Sequence, residues 1–160
     1  MDKGNAQFEE KHFIEDVALF FEQEGLPRMA GRILGWLLIS DPPHQSIDEL
    51  AQVLQASKGS ISTMTRLLIQ VGLVERVALP GERRDHFRIK PGAWSQIIKQ
   101  EGFRAGATRA LTERGLELLD GADSELKQRL KEAHELYAFL EREYANLLDK
   151  WERERKKSMR

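Results

Sequence analysis

Two short apolar-faced segments between Ser46 and Val71, each opened by a hydroxyl residue and joined by a tight turn, constrain this chain more than any other feature. In SIDELAQVLQA, Ser46 and Glu49 have the spacing of a capping box, in which each side chain satisfies a free backbone donor at a helix start. Ile47, Leu50, Ala51 and Leu54 then fall on one apolar face of that helix. Ser57 is placed to cap a second helix, along which Ile61, Met64, Leu68 and Val71 recur at three- and four-residue steps until Gly72 closes it. Beyond Gly72, LVERVAL and DHFRIK read as short strands with Val74, Val77, Phe87 and Ile89 inward, and PGERRD supplies the turn between them.

Helix, turn, helix and hairpin in that order describe a winged helix-turn-helix. The expected fold is therefore mainly α with a small β-hairpin wing. The polar face of the second helix carries Lys58, Gly59, Ser60, Ser62, Thr63 and Arg66 behind the Ser57 cap. Small hydroxylated residues at a helix start allow close approach to a phosphate backbone and hydrogen bonds to base edges, and the helix amino end adds partial positive charge. Arg83 and Arg84 stand at the wing tip, backed by Arg88 and Lys90, and His86 is a further candidate phosphate contact. Adjacent guanidiniums on an exposed loop suit phosphates or a narrowed minor groove. Double-stranded DNA is the expected partner.

The run SIDELAQVLQASKGSISTMTRLLIQVGLVERV followed by PGERRDHFRIK resembles the winged-helix domain of the MarR superfamily of bacterial transcriptional regulators. The preceding EGLPRMAGRILGWLLISDPP resembles the corresponding segment of the GbsR-type branch, in which Gly-x-Pro-Arg leads into an Ala-Gly-Arg-x-x-Gly helix. The resemblance covers about Phe20 to Lys90. It implies a DNA-binding regulator, with osmoprotection-related or efflux-related genes among the targets of that branch.

The overall charge runs against a DNA-binding role. The chain's 160 residues are 41% hydrophobic and 32% charged, enough for a buried core and a well-solvated surface, but the formal net charge is -1. Phosphate contacts by Lys and Arg supply most sequence-independent affinity for DNA. Between His44 and Lys90, seven basic residues face five acidic ones, a local net of +2, so non-specific affinity is expected to be modest. The chain has no cysteine, which excludes disulfides, thiolate metal ligands and a thiol redox switch. MDKGNAQFEEKHF lacks the apolar core of a signal peptide and no apolar run nears the roughly 20 residues that span a bilayer, so a cytoplasmic protein without a membrane partner is expected.

A lone winged helix binds weakly, and reading two half-sites together calls for a rigid dimer. Leu126, Leu130, Ala133, Tyr137, Leu140, Tyr144, Leu147 and Trp151 alternate steps of four and three, a heptad seam. Leu136, Phe139 and Leu148 widen it, so the helix is expected to pack against more than one partner helix. From about Ser124 to Arg155 it would extend about 48 Å. At the other end, Phe8, Phe13, Ile14, Val17, Phe20 and Phe21 decorate a helix stopped by Gly25 and Pro27. The expected dimerisation residues are Phe8, Phe13, Val17, Phe20, Leu130, Tyr137, Leu140, Tyr144, Leu147 and Trp151. Residues 1–26 form an amino-terminal dimerisation helix in this reading, 27–91 the reader and 92–160 a helical dimerisation region. Gly102, Gly106 and Gly115 allow kinks or close helix crossings within that last part.

MarR-like architecture implies a small effector held between reader and dimer helices, for which Arg32, Trp36, Trp94 and Phe103 are the candidates. Arg28 and Arg32, one helical turn apart, are read either as an anion clamp or as residues that pair with acidic side chains of the amino-terminal helix or contact DNA phosphate. His12, His44, His86 and His134 lack metal-ligand spacing, and no nucleophile elbow, phosphate loop or dinucleotide glycine pattern occurs. No enzyme, metal or cofactor is expected. The alternative of a different class is a winged-helix scaffold that engages another protein through its coiled-coil seam and apolar amino-terminal helix, with no sequence-specific DNA role.

Overall fold

The computed structural model describes residues 3–158 and divides into two compact units, Met1–Ala93 and Trp94–Arg160. In the first, α1 (Lys3–Gln23) and α2 (Arg28–Ile39) precede β1 (Gln45–Ser46), α3 (Ile47–Leu54), α4 (Lys58–Gln70), β2 (Val74–Ala78) and β3 (Asp85–Ile89). The second consists of α5 (Ala93–Leu118) and α6 (Ser124–Ser158). Six helices and one three-stranded antiparallel sheet among the described residues make the fold mainly α with a small wing. None of these helices is long and apolar enough to cross a membrane.

The helix-turn-helix forms where its caps stand. The Ser46 hydroxyl accepts from the Glu49 amide at 3.3 Å, and the Glu49 carboxylate accepts from the Ser46 amide at 2.7 Å. The Ser46 hydroxyl also donates to that carboxylate at 2.8 Å, and the Ser46 amide and hydroxyl together hold the Glu49 carboxyl below the usual carboxylate range, the amide contributing most. Ser57 caps α4, accepting from the Ser60 amide at 3.2 Å. Between the helices, Gln55 turns the chain with φ 50°, in the left-handed region. Gly72, with φ 80°, ends α4, and the Leu73 amide returns to the Leu68 carbonyl.

The core lies where α2, α3, α4 and the sheet meet. Ile33, Leu34, Leu50, Ile61, Leu68 and Val74 are fully buried there, each contributing about 1.5–3 kcal/mol. Phe87 joins them from β3, whereas Val77 and Ile89 are half-buried. The wing holds a strand that alternation did not reveal. Gln45 and Ser46 pair with Phe87 and His86, giving the order β1-β3-β2 rather than a simple hairpin.

Ile14 and Ala18 of α1 are buried against α2, so this helix is part of the winged-helix unit's own core. Contact is close because α2 presents glycine. A Cβ at Gly31 would lie 2.7 Å from the Ala18 Cα, and one at Gly35 would lie 3.0 Å from the Ile14 Cα. Val17 packs beside them, while Phe8, Phe13 and Phe20 are 58%, 39% and 58% exposed.

In the second unit α5 and α6 run back along each other as an antiparallel hairpin turned at Gly121, with φ 77°. The pairing is progressive: Gly115 lies against Leu130, Thr112 meets His134 at 3.3 Å, Arg109 holds Glu141 at 2.7 Å, and Gly102 lies against Tyr144. Trp151 donates to the Ser95 hydroxyl at 3.2 Å near the open end. The glycines serve the close crossing; α5 continues through all three as one helix. Glu141 and Glu113 both hold the Arg109 guanidinium, with Glu141 contributing most to the upward shift of its pKa.

Candidate nucleic-acid interface

The two sides of α4 differ sharply. Ile61, Thr65 and Leu68 point into the core, with the Thr65 hydroxyl donating to the Ile61 carbonyl at 2.6 Å. Ser57, Lys58, Gly59, Thr63 and Arg66 are exposed, and Ser60 and Ser62 are half-buried. A Cβ at Gly59 would meet nothing within 4 Å, so the space in front of the helix start is open. The face expected from the sequence is thus presented as one surface, rimmed by the free amide end of a capped helix. Arg66 leans back along the helix, its Nε donating to the Ser62 carbonyl at 3.4 Å.

The wing tip converges on the same surface through a single carboxylate. Asp48, in the first turn of α3, binds Lys58 Nζ at 2.7 Å through one oxygen and Arg84 Nη1 at 3.2 Å through the other. The Lys58 hydrogen bond, reinforced by the charges of Lys58 and Arg84, holds the Asp48 carboxyl below its usual range. In the sequence Asp48 is only one acidic charge in the local balance. No local signal marks it, because the contact exists only once α3, α4 and the wing are assembled.

Other basic residues are also paired within the chain. Arg76 meets Asp85 at 3.3 Å, and Arg88 meets Glu75 at 2.7 Å across the β2–β3 ladder. Arg83 forms no ion pair among the described residues and is exposed. His86 departs from its expected place on the wing surface. It is 5% exposed, with Nε2 at 3.2 Å from Glu82 and Nδ1 at 3.2 Å from the Arg84 carbonyl. Its ring lies edge-on to that of His44, because the register that pairs His86 with Ser46 turns it inward.

The four candidates for an effector site divide between the two units. Arg32 and Arg28 both hold Glu15 of α1, at 2.7 and 3.0 Å, the ion-pair alternative read from the sequence. The Trp36 indole donates to Gln45 at 3.2 Å. Beside Arg32, a cavity of about 260 Å³ is bordered by Ile14, Val53 and Leu54. In the second unit, Trp94 is 45% exposed and Phe103 80% exposed. No group of three or more histidine, aspartate or glutamate side chains with metal-binding geometry occurs among the described residues.

The seam residues of α6 are shared between two surroundings. Leu130 and Tyr144 touch α5 and, like Tyr137 and Leu140, are half-buried, while Leu147 and Trp151 are 51% and 49% exposed. No α6 residue is fully buried within the chain. An open groove of about 390 Å³ runs along the helix past Leu140, Tyr144 and Leu147.

Comparison with known proteins agrees with this geometry at both ends of the chain. Residues 24–85 match the MarR family model, and residues 92–154 match the model of MmpR5-like MarR family transcriptional regulators. The HTH-type transcriptional regulator MmpR5 of Mycobacterium tuberculosis (strain ATCC 25618 / H37Rv) is 40% identical over 152 residues, spanning 94% of this chain and 92% of that protein. The HTH-type transcriptional repressor OpcR of Bacillus subtilis (strain 168) is 27% identical over 103 residues, 64% of this chain and 54% of that protein. A crystal structure of a transcriptional regulator, 38% identical, superposes with a TM-score of 0.76 over 91% of this chain and 99% of that one. With such identity sustained along nearly the whole of both chains, this protein belongs to the MarR family of transcriptional regulators.

Proposed function

We propose that the protein binds double-stranded DNA sequence-specifically as a homodimer, each protomer placing α4 in a major groove and its wing on the adjacent backbone. Ser57, Lys58, Gly59, Ser60, Ser62, Thr63 and Arg66 form the reading edge, with Arg83, Arg84 and Arg88 as phosphate contacts. His86, being buried, acts by shaping the wing. The observation that carries this reading is the shared Asp48 contact: the start of α4 and the wing tip reach one carboxylate, so they present a single cationic edge. Hydrogen-bond donors and hydroxyls at the helix start read base edges, while the guanidiniums fix register on the phosphates.

The second copy is assigned to the open side of α6, where Leu140, Tyr144, Leu147 and Trp151 find no complete cover within the chain. Leu130 and Tyr137 continue that seam, and Phe8, Phe13 and Phe20 supply apolar surface from α1. Val17 supports α1 from the core side. An effector that binds two dimer geometries unequally would alter half-site separation, a coupling typically worth about 1–3 kcal/mol. Within the first unit Arg32 and Trp36, and within the second Trp94 and Phe103, are its candidate contacts. We assign the chain to the GbsR-type branch on its EGLPRMAGRILG segment, and its place of action to the cytoplasm, where a DNA regulator works.

Binding to fluorescent DNA from the protein's own upstream region, over a salt series, tests the reading beside an Arg83→Glu/Arg84→Glu variant that still elutes as a dimer. Tight, salt-sensitive binding that the variant loses is expected, and the slope counts phosphate contacts. Equal, weak binding of both proteins to any DNA would favour the protein scaffold instead.

A further inference from the structure

We infer that Asp48 is an internal counter-ion that occupies the phosphate-binding cations of the DNA-free protein and yields them to the DNA backbone on binding. The inference rests on the reading of this face as a DNA reader and adds a residue that sets its affinity. Its geometry is that of a phosphate surrogate: two carboxylate oxygens, each engaging a cation from a different DNA-facing element, Lys58 of α4 at 2.7 Å and Arg84 of the wing at 3.2 Å.

Asp48 does not form the cap of its own helix. Ser46 and Glu49 complete that capping box between themselves. Both cations are about seven-tenths exposed in their side chains, and Asp48 is 39% exposed, so the pairs sit in water where each is weak and exchangeable. A phosphate arriving at Lys58 or Arg84 therefore displaces a loosely held partner. The displaced carboxylate stays fixed on α3 beside the incoming anion, and like charges at such range repel. Both effects oppose DNA binding. They also add to the modest local charge excess in restraining phosphate affinity.

A rival role predicts the opposite sign. Were Asp48 chiefly a tether that positions the wing against α4, removing its charge would loosen the wing and weaken binding. Asp48→Asn, nearly isosteric, separates the two, with Asp48→Ser as a second neutral variant suited to a first helical turn. Asp48→Glu retains the charge, and Asp149→Asn on α6 makes the same change of net charge outside the winged-helix unit.

On duplexes with and without the operator, at low salt, both neutral variants are expected to bind about three- to tenfold more tightly than wild type. The slope of log K against log salt should steepen by about one per protomer. Asp48→Glu and Asp149→Asn should behave like wild type. Unchanged or weaker binding by folded Asp48→Asn and Asp48→Ser overturns the counter-ion role while leaving DNA binding intact. Absence of DNA binding by the wild-type protein would instead overturn the reader assignment itself, and this inference with it.

Discussion

At the scale of single residues, much of the reader's local order depends on a few polar contacts at helix starts. Replacing Ser46 by Ala removes the acceptor for the Glu49 amide and should cost about 1 kcal/mol, read as a lower denaturant midpoint at unchanged slope. Glu49 adds a pH dependence. Its carboxyl sits below its ordinary value of 4.5 in the fold, so its contribution is present above that value and is lost as pH falls through the folded pKa. Glu49→Gln keeps the cap geometry but loses the charge at a helix amino end, worth about 0.3–1 kcal/mol at the surface. The melting-temperature gap between wild type and this variant should narrow as pH falls from 7 through the carboxylate range; a gap unchanged in acid would assign it to geometry. Gly31→Ala is a different kind of lesion. Its methyl meets the Ala18 backbone, which cannot rotate away, and overpacking of this kind costs about 1–3 kcal/mol in unfolding experiments. Ser46 and Glu49 were legible in the sequence because a cap is a local spacing. Gly31's contact with Ala18 and the two cations on Asp48 were not, because each requires elements brought together by the fold.

At the scale of elements, helix ends were more readable than helix surroundings. The turn between α3 and α4 depends on Gln55 at φ 50°, a conformation that disfavours a side chain with a Cβ. Gln55→Gly should therefore be neutral or stabilising by up to about 1 kcal/mol, unlike most glycine substitutions; a drop of that size in stability would place the Gln55 side chain in a needed contact. The heptad spacing of α6 correctly announced a long helix with an apolar stripe wider than one seam. It did not reveal that Leu130 and Tyr144 meet glycines of α5 within the same chain, since periodicity locates a face and says nothing of what covers it. β1 escaped for a related reason: two residues, Gln45 and Ser46, are too few to show alternation, and only their pairing with Phe87 and His86 makes them a strand. His86 was placed on the wing surface by its neighbours Arg83 and Arg84, but strand register turned it inward.

At the scale of the whole molecule, the chain carries a reader whose cations are partly occupied at home and a helical hairpin with an uncovered side. The net charge of -1 is reflected in local pairing: Lys58, Arg76, Arg84 and Arg88 each have an acidic partner within the chain, and these exchangeable pairs restrain phosphate affinity without removing the cations from the surface. Dimerisation is the other half of the account. Leu140→Glu/Leu147→Glu should convert the protein from dimer to monomer by sedimentation and weaken operator binding by at least tenfold, as expected when two linked half-site contacts become one; a variant that remains dimeric would move the interface elsewhere. The most direct test of the central claim is hydroxyl-radical footprinting of the wild-type protein on DNA from its own upstream region. Two recognition helices in successive major grooves predict two protected patches on one face of the duplex, centred about one helical turn, or about 10–10.5 base pairs, apart. A single patch, or none at concentrations that saturate the DNA, would contradict it.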